Sequence, residues 1–167
     1  MFLHLGPIAL SHILYTDMKP VVFTILLTTA LVTQAVAQER AIFSKGEKAV
    51  TDHQVGTVWL NELSPADSSF TYTISMATFA PGAYLYWHSH PGGQILLYTD
   101  GIGYYQERGK PLRTVRKGEV VKCQPGVEHW HGATPTSGVT YLATTPTQKG
   151  KTIWFKRVTD EEYAGGK

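Results

Sequence analysis

Residues 82–101 read GAYLYWHSHPGGQILLYTDG. Side chains two apart on an extended chain leave the same face, so His88 and His90 point together, and Gln94 follows directly on the Pro91-Gly92-Gly93 turn. A second cluster, QPGVEHWHG over 124–132, comes after a β-like run through Val120, Val121 and Cys123 and another Pro-Gly turn, and it carries His129. Whether His88, His90, Gln94 and His129 meet around one divalent metal at the mouth of a small β-barrel is the question these two stretches raise. A His-x-His pair alone does not separate metal ligands from two hydrogen-bonded core histidines or two idle surface ones. The distribution of histidine adds to the case: of the five beyond residue 37, four fall in the two Pro/Gly-flanked clusters.

The surrounding chain is short strands punctuated by turns. Val55 to Leu60 reads as a strand and Asn61 to Ser69, with Pro65 and Asp67, as a loop. Phe70 to Ala77 alternates, with Phe70, Tyr72, Ile74 and Met76 on one side and Thr71, Thr73, Ser75 and Ala77 on the other. One face is core; alternation does not decide whether the small polar face meets solvent or walls a pocket. Strands are expected at Tyr84 to His90, Gln94 to Tyr98, Tyr104 to Glu107, Glu119 to Cys123, Val139 to Ala143 and Thr152 to Val158. Asp100-Gly101, Arg108-Gly109, Lys117-Gly118 and Ser137-Gly138 supply the turns. Thr159-Asp160-Glu161-Glu162 is a capping box opening one helical turn. With no amphipathic helix of useful length, the fold class is all-β, a sandwich or barrel.

The composition is that of an ordinary globular domain, 43% hydrophobic and 17% charged over 167 residues. A net charge of +2 without basic blocks argues against a nucleic-acid partner. Residues 18–37, MKPVVFTILLTTALVTQAVA, place a lysine before an apolar run and close on Ala35-Val36-Ala37, the small-x-small pattern of a signal peptidase site. The alternative is a membrane anchor, against which stand the short apolar run and its threonines. Export to the periplasm or beyond with cleavage before Gln38 is expected, leaving 38–167 as one domain with no membrane partner; residues 1–17 are expected to be an extension ahead of the natural start. Cys123 is the only cysteine, so no internal disulfide is available, and its β-like run marks it as a small core residue.

The spacing Gly82, five residues, His88, one, His90, three, Gln94, six, Gly101 resembles the first cupin motif. Gly118 followed by Pro125, Gly126 and His129 resembles the second. The resemblance spans most of residues 38–167 and implies a jelly-roll, or double-stranded β-helix, barrel. Two departures stand out: Gln94 replaces the usual Glu, and the second motif has its proline one place late, with Ala133 where Asn is common. W-H-x-H-P-x-G-Q, then P-G-x-x-H-W-H-G-A-x-P-T, then Val158 to Tyr163, is similar to the small bacterial hydroxynitrile-lyase type of cupin. In those proteins the ligands matching His88, His90, Gln94 and His129 hold manganese or iron, and that resemblance, rather than the spacing, brings in the metal.

Three imidazoles and an amide leave a dication's charge uncompensated where a carboxylate would cancel half of it. The expected site is a harder Lewis acid, favouring anionic or enolisable ligands, and the absence of thiolate ranks manganese or iron above zinc. His131 shares His129's parity and is a candidate acid or base, with a merely packed histidine as the alternative. Tyr141, at a position where the lyase-like relatives tend to carry histidine, is the second proton-handling candidate; an ordinary phenol is a poor base at neutral pH, and a core role is the alternative. Ser75 and Ala77 fall, by the same likeness, on the pocket side, Leu96 and Tyr98 share Gln94's parity, and Trp87 and Trp130 have the opposite parity and pack behind the metal strands. The expected function is a metal-dependent enzyme on a small organic molecule, by lyase or dioxygenase chemistry. The competing readings are a non-catalytic metal or small-ligand binder and a structural barrel with vestigial histidines. A homodimer or higher homo-oligomer through an edge strand is expected from the family likeness and from open sheet edges.

Overall fold

The computed structural model describes residues 42–165, and the expected signal segment lies outside them. The strands are β1 (Glu47–Lys48), β2 (Gln54–Val55), β3 (Val58–Ser64), β4 (Tyr72–Phe79), β5 (Tyr84–Leu85), β6 (His88–Ser89), β7 (Gln94–Glu107), β8 (Arg113–Arg116), β9 (Val120–Cys123), β10 (His129–Ala133), β11 (Val139–Pro146) and β12 (Ile153–Trp154), followed by one helical turn, α1 (Asp160–Tyr163). All pairings are antiparallel, and the strands curl into two facing layers, a jelly-roll half-barrel. One layer runs β1-β3-β4-β11-β7-β9; the other joins β2, β5, β10, β7 and β8, with β6 between β10 and β12.

Strand β7 belongs to both layers, and this is where the structure departs from the sequence reading. Asp100-Gly101 is not a hairpin turn: β7 runs unbroken for 14 residues. Up to Gly101 it pairs with β11, and from Ile102 it pairs with β8 and then also β10. Gly101 has φ 74°, and a Cβ there would collide with the carbonyl oxygen of Gly138, so glycine is what lets the strand bend from one layer into the next. The expected strand Tyr84 to His90 is two short pieces, because β5 and β6 pair with opposite ends of β10. Of the expected Thr152–Val158 strand only Ile153–Trp154 is regular strand, and Phe155 and Lys156 continue it through backbone hydrogen bonds with Trp87.

The core lies between the layers. Inward side chains of β3, β4, β7 and β11 (Val58, Ala77, Phe79, Leu96, Tyr98, Val139, Tyr141) meet Tyr105, Val115 and Ala133 from the second layer, and the lone cysteine, Cys123, is buried among them. Leu96 and Tyr98 face inward with Gln94's parity, as read from the sequence. A second cluster, Tyr84, Trp87, Trp130 and Val158, packs on the reverse of the histidine strands with Tyr104 and Tyr163. The C-terminal segment holds it. Thr159 and Glu162 complete the expected capping box of α1, Glu162 also accepts from Trp87 Nε1 at 3.1 Å, and the Tyr163 hydroxyl donates to the Ala133 carbonyl at 2.9 Å. Trp87 and Trp130 thus bury their rings and pair their N–H groups, Trp130 donating to Gln106 at 2.8 Å. This fixes β6 and β10 from behind, and with them every histidine of the two clusters.

Candidate metal centre and its pocket

The pairing of β6 with β10 sets His88 directly opposite His129. Antiparallel partners put both side chains on one face, so the two clusters, about forty positions apart in the chain, converge. The ligand-capable nitrogens of His88, His129 and His131 lie within 4.8 Å of one another and could hold a metal ion. His90 joins them, its ring centroid 5.1 Å from His88 and 5.5 Å from His129. All four imidazoles are buried, at most 5% exposed.

Hydrogen bonds fix what each ring presents. His88 Nδ1 lies 2.8 Å from the Tyr86 carbonyl and His129 Nδ1 2.8 Å from the Val127 carbonyl. A carbonyl only accepts, so both Nδ1 atoms carry the proton and both Nε2 atoms keep a lone pair. Gln94 Nε2 donates to the Thr145 hydroxyl at 2.9 Å, which orients the amide and leaves Oε1 as a buried acceptor with no partner. His90 Nδ1 lies 3.2 Å from the Thr152 hydroxyl. The Nε2 atoms of His90, His129 and His131 are likewise buried without partners. Four unsatisfied polar atoms in one place are costly unless something fills the gap, and the donor set suits a divalent cation.

His131, like His90, has a hydroxyl rather than a carbonyl as its partner. Its Nδ1 lies 2.9 Å from the hydroxyl of Tyr141, and a phenol both donates and accepts, so this imidazole is free to carry its proton on either nitrogen. Tyr141 and Phe79 pack edge-on to it, at 5.2 and 6.5 Å between centroids. Burial depresses the basicity of all four rings, reinforced for His88, His90 and His131 by neighbouring imidazoles. His90 is brought down to about 4, while His88 and His131 fall well below the usual histidine range. Burial moves Tyr141 the other way, well above the ordinary phenol, so its hydroxyl keeps its proton. The Cys123 thiol is pushed up to about 12, mainly by burial, and is no thiolate donor.

His88, His90 and His131, with Gln94, open onto a cavity of about 600 Å³, within the range that holds small organic ligands. Thr73, Ser75 and Ala77 of β4 form one wall, so the small face of that strand is the pocket side. Ile74 and Met76 point to the other side of the layer. Ala49, Thr51 and Gln54, which the sequence does not mark, reach in from the segment ahead of β3. Thr145, Thr152 and Trp154 were not singled out from the sequence either. Thr145 does share the inward parity of Tyr141, which was a usable signal for it alone. Trp87 and Trp130 lie behind the histidine strands, as their parity required.

The cupin-domain family model matches residues 75–145, the span containing both histidine clusters. Over 117 residues the chain is 40% identical to an (R)-mandelonitrile lyase from Granulicella tundricola, an alignment covering 70% of this chain and 89% of that one. The chain belongs to the cupin family. Among solved structures this cupin is similar to a cupin-like protein from Thermotoga maritima, with a TM-score of 0.73, 42% identity and coverage of 76% of this chain and 98% of that one. A DMSP lyase from Ruegeria pomeroyi, at 16% identity and a TM-score of 0.56 over 69% of this chain and 64% of that one, shares the fold alone. The resemblance seen in the two motifs is therefore a family membership, and the likeness to the hydroxynitrile-lyase type stands with it.

Proposed function

We propose that this cupin is a metal-dependent lyase that cleaves a cyanohydrin-type substrate to a carbonyl compound and hydrogen cyanide, with His88, His90, Gln94 and His129 as the metal ligands and His131 as the proton carrier. The observation that carries this is the division of roles in the hydrogen bonds. His88, His129 and Gln94 are each locked so that a lone pair faces the gap, whereas His90 and His131 rest on hydroxyls that permit either tautomer, and of these two only His131 stands at the apolar end against Phe79 and Tyr141. The 40% identity to a mandelonitrile lyase supports the reaction class. A divalent ion bound to the four ligands would stabilise the negative charge that develops on the substrate oxygen. Manganese or iron fits three imidazoles and an amide oxygen, with no thiolate at hand, better than zinc does.

The proton work belongs to the chain's own residues. His131 is held neutral by burial, so through the neutral pH range it stands ready to accept the substrate hydroxyl proton. As that proton leaves, the carbon–oxygen double bond forms and the carbon–nitrile bond breaks, with the electron pair departing on cyanide. The imidazolium, disfavoured in so dry a site, returns the proton to cyanide. Tyr141 holds His131 Nδ1 throughout and keeps its own proton. Export with cleavage before Gln38 is part of the proposal and rests on residues 18–37.

The test is His131→Ala, assayed by release of benzaldehyde from mandelonitrile and by metal content. Loss of roughly 10²- to 10⁴-fold in rate with full metal content is expected. Unchanged turnover would retire His131 as the carrier, and loss of the metal would make it a ligand.

A further inference from the structure

The cavity wall changes character along its length. Strands β4 and β11 run antiparallel with Tyr141 opposite Ala77, Ala143 opposite Ser75 and Thr145 opposite Thr73. The inward row therefore passes from Phe79, Ala77 and Tyr141, all buried, to Thr73 and Thr145 nearer the mouth. The histidines follow the same axis. His131 stands at the apolar end against Phe79 and Tyr141, while Gln94 and His90 stand at the hydroxyl-rich end, bonded to Thr145 and Thr152.

At that hydroxyl-rich end Lys151 lines the cavity, and among the described residues no aspartate or glutamate does. Lys151 forms no ion pair with a described residue. Its loop is tied down on both sides. The Thr147 hydroxyl donates to the Thr71 carbonyl at 3.0 Å, and Thr152, the next residue after Lys151, contacts His90. An ammonium carried on this loop at the rim of a pocket without opposing carboxylates attracts an anion and repels a cation.

We infer that the pocket selects small organic acids: the apolar body lies against Phe79 and Ala77, the reacting carbon lies over the histidines, and a carboxylate at the far end meets Lys151 and the Thr73/Thr145 hydroxyls. The inference rests on this cavity being the reactive site. It makes the natural substrate a cyanohydrin that also carries a carboxylate rather than a neutral aryl cyanohydrin.

The probes are 4-(hydroxymethyl)benzoate and its methyl ester, which replaces the carboxylate by a neutral group one methyl larger, titrated calorimetrically into the protein as purified. The acid should bind about fivefold more tightly than the ester, the advantage of one screened ion pair, and the difference should shrink in high salt. Lys151→Met should abolish the preference and Lys151→Arg should keep it. Equal affinity of wild-type protein for acid and ester overturns the inference, as does a preference that survives Lys151→Met. Mandelonitrile cleavage is measured alongside. Cleavage without an acid preference sinks the selectivity alone, while an acid preference without cleavage sinks the lyase reading and leaves the selectivity standing.

Discussion

Acid should unfold the metal-free protein earlier than an ordinary core would, and His90 makes the effect measurable. In the unfolded chain a histidine titrates near 6.5; in the fold His90 is brought down to about 4 by burial and by the His129 ring. The unfolded state therefore binds more protons between those two values. Stability is fully present above about 6.5 and is lost as the pH falls toward 4. At pH 5 the unfolded imidazole is nearly all protonated and the folded one nearly all neutral, which costs about 2 kcal/mol relative to pH 7. His88, His129 and His131 shift in the same direction and add to the total loss. To isolate one residue, urea unfolding of wild type and His90→Gln is followed by tryptophan fluorescence in chelator at pH 7 and pH 5. The wild type should lose about 2 kcal/mol more than the variant between the two. Equal losses would mean that His90 titrates normally in the fold, and the dry, preformed histidine cluster would have to be abandoned.

Tyr141→Phe removes the hydroxyl beside His131 Nδ1 while keeping the ring; mandelonitrile turnover should fall about tenfold with metal content unchanged, the loss of roughly one buried hydrogen bond. Gly132→Ala puts a Cβ 2.5 Å from Tyr84 Cα and 2.6 Å from the Ala83 carbonyl oxygen, both backbone atoms that cannot turn aside. Because β5 and β10 pair at that position, the variant should lose at least ~3 kcal/mol in urea unfolding or fail to fold. Thr159→Ala deletes the cap of α1 and should lower stability by about 1 kcal/mol without altering metal content or turnover.

What the sequence made legible was local and periodic. His88 with His90, Leu96 and Tyr98 with Gln94, and Trp87 and Trp130 against their neighbours all follow from the two-residue repeat of a strand, and each points where that repeat sends it. The capping box at Thr159 needed only four consecutive residues. Asp100-Gly101 was misread because a hairpin turn and a bend between two layers ask for the same thing, a glycine at positive φ, and only the partner strands tell them apart. Thr145 and Thr152 stayed hidden because they contact Gln94 and His90 across 51 and 62 positions, with no motif linking the pairs. The alternation of β4 separated two faces, but the expected core face of Phe70, Tyr72, Ile74 and Met76 points away from the core, Phe70 being exposed, and it is the small face that walls the cavity and sends Ala77 into the core, which depends on the layer opposite.

The most direct measurement is elemental analysis of protein purified without added metal, carried out on the wild type and on His88→Ala, His129→Ala and His131→Ala. The proposed site predicts one manganese or iron per chain in the wild type and in His131→Ala, and none in the other two. Stoichiometric zinc, or a metal content untouched by loss of His88 and His129, would contradict it.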